Sequence, residues 1–169
     1  MSLELLILRH AKSSWGSGVN SDFERPLAPR GLRNAEQLAE YMVEQDIQPD
    51  LTLCSAARRA RDTAQLALSQ FPAASIKFRE SLYHAGLATL VNSIREQDNG
   101  LERLMLVGHN PGMDQLLIYL CKEELTLTNS GKLMTTAALA RIECRCTWAE
   151  LSPEYCNLIT VLRPRDLPR

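Results

Sequence analysis

Short apolar stretches alternate with amphipathic stretches through the first two-thirds of the chain. The apolar stretches are typical of strands buried on both faces of a parallel sheet; the predicted strands cover 3–8, 51–54, 103–108 and, more weakly, 76–78. Apolar residues at helical spacing lie between and after them; the predicted helices cover 31–48, 55–70, 87–97 and 110–121. Ser55 is expected to cap the second helix, and Pro111 to occupy the first position of the last one.

The last third of the chain has a different pattern. Residues 136–146 and 156–162 are strand-like, and the polar segment between them predicts a terminal strand pair with a longer connection. Alternating strands and helices followed by such a pair indicate an α/β fold. We expect a three-layer α/β/α sandwich on a mostly parallel central sheet with at least one antiparallel strand. A chain of 169 residues suits a single domain over 1–169.

Composition and charge exclude several classes of protein. The net charge of −1 does not favour a general binder of nucleic acid or of anionic membranes. No apolar run has the length of a membrane span and the N-terminus lacks the features of a signal peptide, so we expect a cytoplasmic protein. The five cysteines are an odd number without zinc-ligand spacing, and we expect reduced thiols and no metal.

Basic side chains and imidazoles follow the predicted strands. Arg9 and His10 directly follow the first strand, and His109 directly follows the strand over 103–108. The helix after the second strand carries Arg59 on the side that Ala60 and its neighbours mark as buried. Because ligands bind beyond the carboxyl ends of parallel strands, we expect these four side chains to share one site. The third histidine, His84, is expected at the surface or in the pocket wall.

This set of side chains indicates a site for an anion. Two imidazoles and two guanidinium groups without carboxylates make a poor site for a hard metal ion, whereas the guanidinium fork matches a phosphoryl group. His109 lies where a strand meets a helix N-terminus, which favours an oxyanion. His10 could be a nucleophile, because the flanking Arg9 and Arg59 disfavour its protonated form.

Three spaced motifs carry a resemblance to a known family. The segments are Arg9-His10-Ala11-Lys12-Ser13, Ser55-x-x-x-Arg59-Ala60-x-x-Thr63-Ala64 and Gly108-His109-Asn110-Pro111. Together they resemble the histidine phosphatase superfamily, which has the phosphoglycerate-mutase-like fold. The chain is most similar to its short SixA-type phosphohistidine phosphatases, and the likeness extends to Asp22-x-x-Arg25-Pro26-Leu27 and to 134–138. Ala11 and Ala56 replace a common glycine and a frequent proline, but neither change removes a polar group.

The resemblance implies a role for each matched residue. His10 is the implied nucleophile, and the other members of the phosphate pocket are Arg9, Arg59 and His109. Ser13 and Asn110 are implied as further phosphate contacts, the latter through its backbone N–H. The implied mechanism requires no metal and no cofactor.

The function of Glu80 stays open at this point. It follows the third strand, where monoester phosphatases of the superfamily often have the acid that protonates a departing alkoxide. Equally, it could be a surface glutamate paired with Arg79 or Lys77. A phosphohistidine substrate needs this acid less than an alcohol ester does.

Chain length favours a large substrate. Neither the segment after His10 nor that between 78 and 103 has room for a lid domain, and an open pocket suits a phosphorylated side chain on another protein. We therefore expect a phosphohistidine phosphatase acting on a phosphorylated protein, such as a histidine phosphotransfer domain. The alternatives are a phosphomonoesterase for a small phosphomonoester and a non-catalytic phosphate-binding module. Nucleic acid and membranes are not expected partners.

Overall fold

A six-stranded sheet forms the centre of the computed structural model, which describes residues 2–121, 123 and 125–169. The strands are β1 (Leu3–Arg9), β2 (Leu51–Ser55), β3 (Ile76–Arg79), β4 (Arg103–Gly108), β5 (Leu139–Cys144) and β6 (Cys156–Leu162). Their order across the sheet is β3-β2-β4-β1-β5-β6. β1 to β4 are parallel, while β5 pairs antiparallel with both β1 and β6. The mostly parallel sheet with an antiparallel member is thereby confirmed.

In the described part of the chain, four α-helices cover the two faces of this sheet. They are α1 (Pro29–Glu44), α2 (Arg58–Ala67), α3 (Leu87–Arg95) and α4 (Gly112–Cys121). α1 and α2 pack on one face, and α3 and α4 on the other, which gives the three expected layers. No helix within the described part of the chain is long and apolar enough to cross a membrane.

β1 has apolar residues at consecutive positions because it packs against helices on both of its faces. Leu5 and Ile7 belong to the core beneath α3 and α4, whereas Leu6 and Leu8 belong to the core beneath α1 and α2. All four are fully buried. Since alternate side chains point to opposite faces, a strand between two helical layers must be apolar at every position.

Ser55 and Pro111, both expected at helix starts, lie outside the helices, and α1 covers 29–44 instead of 31–48. Ser55 is the last residue of β2 and not a helix cap; α2 begins at Arg58, and its N-cap Ala57 offers no side-chain hydrogen bond. The last helix begins at Gly112, after Pro111 and not on it. A serine near a helix start is locally typical of an N-cap, but the pairing of β2 with β3 and β4 extends the strand.

α1 approaches the segment after β1 closely. A Cβ atom on Gly31 would lie 2.1 Å from the Lys12 carbonyl oxygen, so only glycine fits there. The Ala28 N–H donates to that same oxygen at 2.8 Å, and Ser13 forms a bridge with Leu27. These contacts hold the chain after His10 against the start of α1.

Candidate active site

His10 lies at the carboxyl end of β1 with 8% of its surface exposed. Its Nδ1 donates to the Ala11 carbonyl oxygen at 2.8 Å, while the Nε–H of Arg59 points at its Nε2 from 3.4 Å. Burial lowers the pKa of His10 from 6.5 to about 4; the Ala11 carbonyl opposes this shift, and Arg59, Arg9 and Arg25 add to it. At neutral pH the imidazole is therefore uncharged, with its lone pair on Nε2.

Arg59 is buried in the first turn of α2, on the face that its alanine neighbours predicted. Its Nη1 donates to the backbone oxygen of Asp22 at 2.6 Å, and its Nη2 to the carboxylate of Asp22 at 3.0 Å. One turn further along, the Thr63 hydroxyl donates to the Arg59 carbonyl oxygen and accepts the N–H of Ala11. Thr63 thus fixes α2 against the segment that carries His10.

Arg9 approaches the same region from the end of β1. Its Nη1 donates to the Met134 carbonyl oxygen at 2.9 Å, which ties the loop before β5 to the site. Burial lowers the pKa of Arg9 below its ordinary value, and the carboxylate of Asp114 opposes that shift.

His109 follows β4 and faces His10, with the two ring centroids 5.1 Å apart. Its Nε2 lies 2.7 Å from the Ser55 hydroxyl, which also accepts the N–H of Ala57. Burial lowers the pKa of His109 from 6.5 to about 3; His10 and Arg59 add to this shift. Both imidazoles at the carboxyl edge of the sheet are therefore neutral.

A hydrogen-bond network around Asp22, whose contacts the sequence did not reveal, closes one side of the site. The carboxylate of Asp22 accepts hydrogen bonds from Arg59, Arg25, Tyr83 and His84. Burial would raise the pKa of Asp22, but these hydrogen bonds outweigh it and hold that pKa well below its ordinary value. His84, which was expected at the surface or in the pocket wall, lies next to His109 with ring centroids 5.0 Å apart and has a half-exposed side chain.

The three less central predicted residues lie in different surroundings. The Ser13 hydroxyl accepts from Nη2 of Arg25 at 2.6 Å and so lies within the network around His10. The Asn110 side chain donates to the Met134 carbonyl oxygen at 3.2 Å and accepts the backbone N–H of Asp114. Glu80 is exposed in a short 3₁₀ turn. Its carboxylate pairs with no described residue, since Arg79 reaches Glu96 instead.

Three buried nitrogen atoms around this site have no hydrogen-bond partner among the residues that the structure describes: Nε of Arg9, Nε of Arg25 and Nδ1 of His109. Buried donors are nearly always paired in proteins, and each unpaired one costs about 1–3 kcal/mol. Unpaired cationic donors beside two neutral imidazoles are what a site for a tetrahedral oxyanion requires.

The fold and this set of side chains define a class of protein. The family model of the histidine phosphatase superfamily (branch 1) matches residues 5–84. An uncharacterized protein of Mycobacterium tuberculosis is 30% identical over 162 residues, which are 94% of this chain and 100% of that protein. The chain belongs to the histidine phosphatase superfamily.

Several solved structures of phosphatases are similar to this chain. The Agrobacterium tumefaciens protein assigned as the phosphohistidine phosphatase SixA is 31% identical, with a TM-score of 0.82 over 96% of this chain and 98% of that one. A protein histidine phosphatase SixA complexed with tungstate shares the fold, at 20% identity and a TM-score of 0.77 over 97% of this chain and 99% of that one. Phosphatases of small phosphate compounds also share this fold.

Proposed function

We propose that this chain is a metal-independent phosphatase that removes phosphoryl groups from phosphohistidine in signalling proteins. The observation that carries the proposal is the neutral, buried His10, whose unprotonated Nε2 faces Arg59. Likeness to the Agrobacterium tumefaciens SixA protein supports the class of substrate.

Two in-line transfers make up the proposed reaction. In the first, Nε2 of His10 attacks the phosphorus atom, the P–N bond to the substrate breaks, and the substrate imidazole leaves with the electron pair of that bond. In the second, water attacks the phosphorus atom and the P–Nε2 bond breaks, which gives inorganic phosphate and free His10. Neutral His10 is competent for the first step without losing a proton from Nε2, because its ring proton is on Nδ1.

Arg9, Arg59 and His109 would stabilise the charge on the equatorial oxygens of the transferring group. If Ser55 donates its hydroxyl proton to Nε2 of His109, the ring proton lies on Nδ1, the nitrogen without a partner among the described residues. Ser13 accepts from Arg25 and so keeps its own hydroxyl proton for a phosphate oxygen. Asn110, whose amide is engaged with the chain around it, would contribute its backbone N–H. Removing the side chain of Arg9, Arg59 or His109 should lower the rate roughly 10²-fold or more.

The leaving group favours phosphohistidine over an alcohol ester. A substrate imidazole that carries a proton on its other nitrogen departs neutral, whereas an alkoxide needs a proton donor. The low pKa of Asp22 keeps that carboxylate ionised, and Glu80 has no hydrogen bond to the pocket. A small-molecule phosphomonoesterase remains the second candidate function, because Glu80 follows β3 at the position of the superfamily's acid.

Substitution of Glu80 separates these two functions. Initial rates would be measured with a chemically phosphorylated histidine phosphotransfer domain and with an alkyl phosphate, for the wild type, Glu80→Gln and the exposed control Glu36→Gln. We expect phosphohistidine to be the better substrate, and both variants to hydrolyse it within about twofold of the wild-type rate. A large loss on the alkyl phosphate in Glu80→Gln alone, with no turnover of phosphohistidine by the wild type, would establish the monoesterase instead.

A generic aryl phosphate tests whether the chain is an enzyme at all. Turnover by the wild type that His10→Ala abolishes supports catalysis. Tight binding of the aryl phosphate without turnover would identify a phosphate-binding module.

A further inference from the structure

A cleft of about 590 Å³, lined mainly by charged and polar residues, lies between α1 and the segment after β6. Six cationic side chains line it: Arg30, Arg33, Lys132, Arg163, Arg165 and Arg169. No aspartate or glutamate is present among its described lining residues. With a net charge of only −1 for the whole chain, this concentration of positive charge is local.

Most of this positive charge is not neutralised by the residues that the structure describes. Arg30, Arg33 and Lys132 are exposed and form neither an ion pair nor a side-chain hydrogen bond with any described residue. Arg165 is exposed as well, and its Nε lies 3.7 Å from the carboxylate of Asp166. A pair at that distance and exposure contributes little, so these side chains are available to an external partner.

Arg163, in contrast, is bound to the backbone and forms one wall of the cleft. It is buried, and its guanidinium donates to the carbonyl oxygens of Leu133 and Thr126 at 2.8 and 2.9 Å. The loop before β5 is thereby fastened to the chain after β6. The other wall is the start of α1, whose N-cap Ala28 provides no side-chain bond and whose first turn carries no acidic residue. The positive end of the helix dipole adds to the field of the cleft.

Consecutive residues of the loop before β5 contact the cleft and the segment that carries His10. Thr135 and Thr136 line the cleft, while the N–H of the next residue, Ala137, reaches the carbonyl oxygens of Arg9 and His10 at 3.1 Å. The strand directions also place the pocket and the cleft at the same edge of the sheet. Because β5 is antiparallel to both β1 and β6, the ends of β1 and β6 lie at the same edge of the sheet. A partner that places a phosphorylated side chain in the pocket would therefore extend over the cleft.

We propose that this cleft docks an acidic surface of the phosphoprotein substrate, next to the phosphohistidine that enters the pocket. The proposal rests on the proposed function. Exposed cations from three separate segments, around 30, 132 and 165, match carboxylates spread over the face of a folded protein better than one small anion. Such complementarity acts mainly on association and is screened by salt.

Two double variants test this proposal. Arg33→Gln with Arg165→Gln removes two exposed cations of the cleft, and the control Lys77→Gln with Arg145→Gln removes two exposed cations from β3 and from the chain after β5. Steady-state rates would be measured with a phosphorylated histidine phosphotransfer domain that has an acidic face, and with phosphoramidate as the small substrate. We expect the cleft variant to raise KM for the protein roughly five- to tenfold at low salt, with kcat and the phosphoramidate rate unchanged. The control should behave as the wild type does.

The result that would overturn docking is an equal KM for the protein substrate in the cleft variant and in the control. A parallel loss with phosphoramidate would also overturn it, because the cleft would then act on the pocket as a whole. If the wild type hydrolyses neither substrate, the proposed function fails. Docking is then decided by titrating the unphosphorylated histidine phosphotransfer domain into the wild type, the cleft variant and the control variant. Weaker binding to the cleft variant alone supports docking, and equal binding to all three refutes it.

Discussion

Acidification should destabilise this protein through His10, and the size of the effect follows from its pKa. The pKa is 6.5 in the unfolded chain and about 4 in the folded one. Between these pH values the unfolded state binds a proton that the folded state does not. The stability that neutral His10 contributes is therefore present at neutral pH and is lost as the pH decreases from about 6.5 towards 4. The contribution lost between neutral pH and about pH 5 amounts to about 2 kcal/mol.

The assay is urea unfolding of the wild type and of His10→Asn at neutral pH and at about pH 5. His109, whose pKa is also lowered, gives a change of the same sign in both proteins, so the difference between them isolates mainly His10. We expect the wild type to lose about 2 kcal/mol more than the variant. Equal losses, or a proton NMR titration that gives His10 a pKa near 6.5, would refute the buried neutral imidazole.

Two further substitutions probe the support of the site and of the fold. Ser55→Ala removes the partner of Nε2 in His109 and should lower kcat roughly 10- to 100-fold, while Ser93→Ala, at another buried serine, should leave kcat unchanged; an unchanged kcat in Ser55→Ala would contradict this role. Gly31→Ala places a methyl group 2.1 Å from a backbone oxygen and should lower the free energy of unfolding, measured in urea, by about 1–3 kcal/mol. A Cβ atom added at Gly86 meets nothing within 4 Å, so Gly86→Ala should lower it much less. Equal losses in the two variants would contradict the close approach at Gly31.

The central residues of the site could be predicted because each is next to a strong local pattern. Arg9 and His10 follow an uninterrupted apolar run, and so does His109. The inward alanines of α2 placed Arg59 on its buried side. Position along the chain was sufficient here, since parallel strands bring their carboxyl ends to one edge of the sheet.

The supporting residues could not be predicted because their contacts join distant parts of the chain. Asp22 and Tyr83 lie in irregular segments, and their hydrogen bond spans 61 residues. Ser55 lies 54 residues from His109, and its local sequence favours a helix cap instead. The only signal for Asp22 was its membership of the motif that ends at Leu27.

The role of His10 as nucleophile is tested most sharply by identifying the residue that is phosphorylated during turnover. The protein would be mixed with a phosphohistidine substrate, quenched in alkali, where phosphohistidine survives, and digested for mass spectrometry. We expect an acid-labile phosphoryl group on His10 that forms and disappears within one turnover, and none in His10→Ala. A phosphoryl group on another residue, or turnover that persists in His10→Ala, would contradict it.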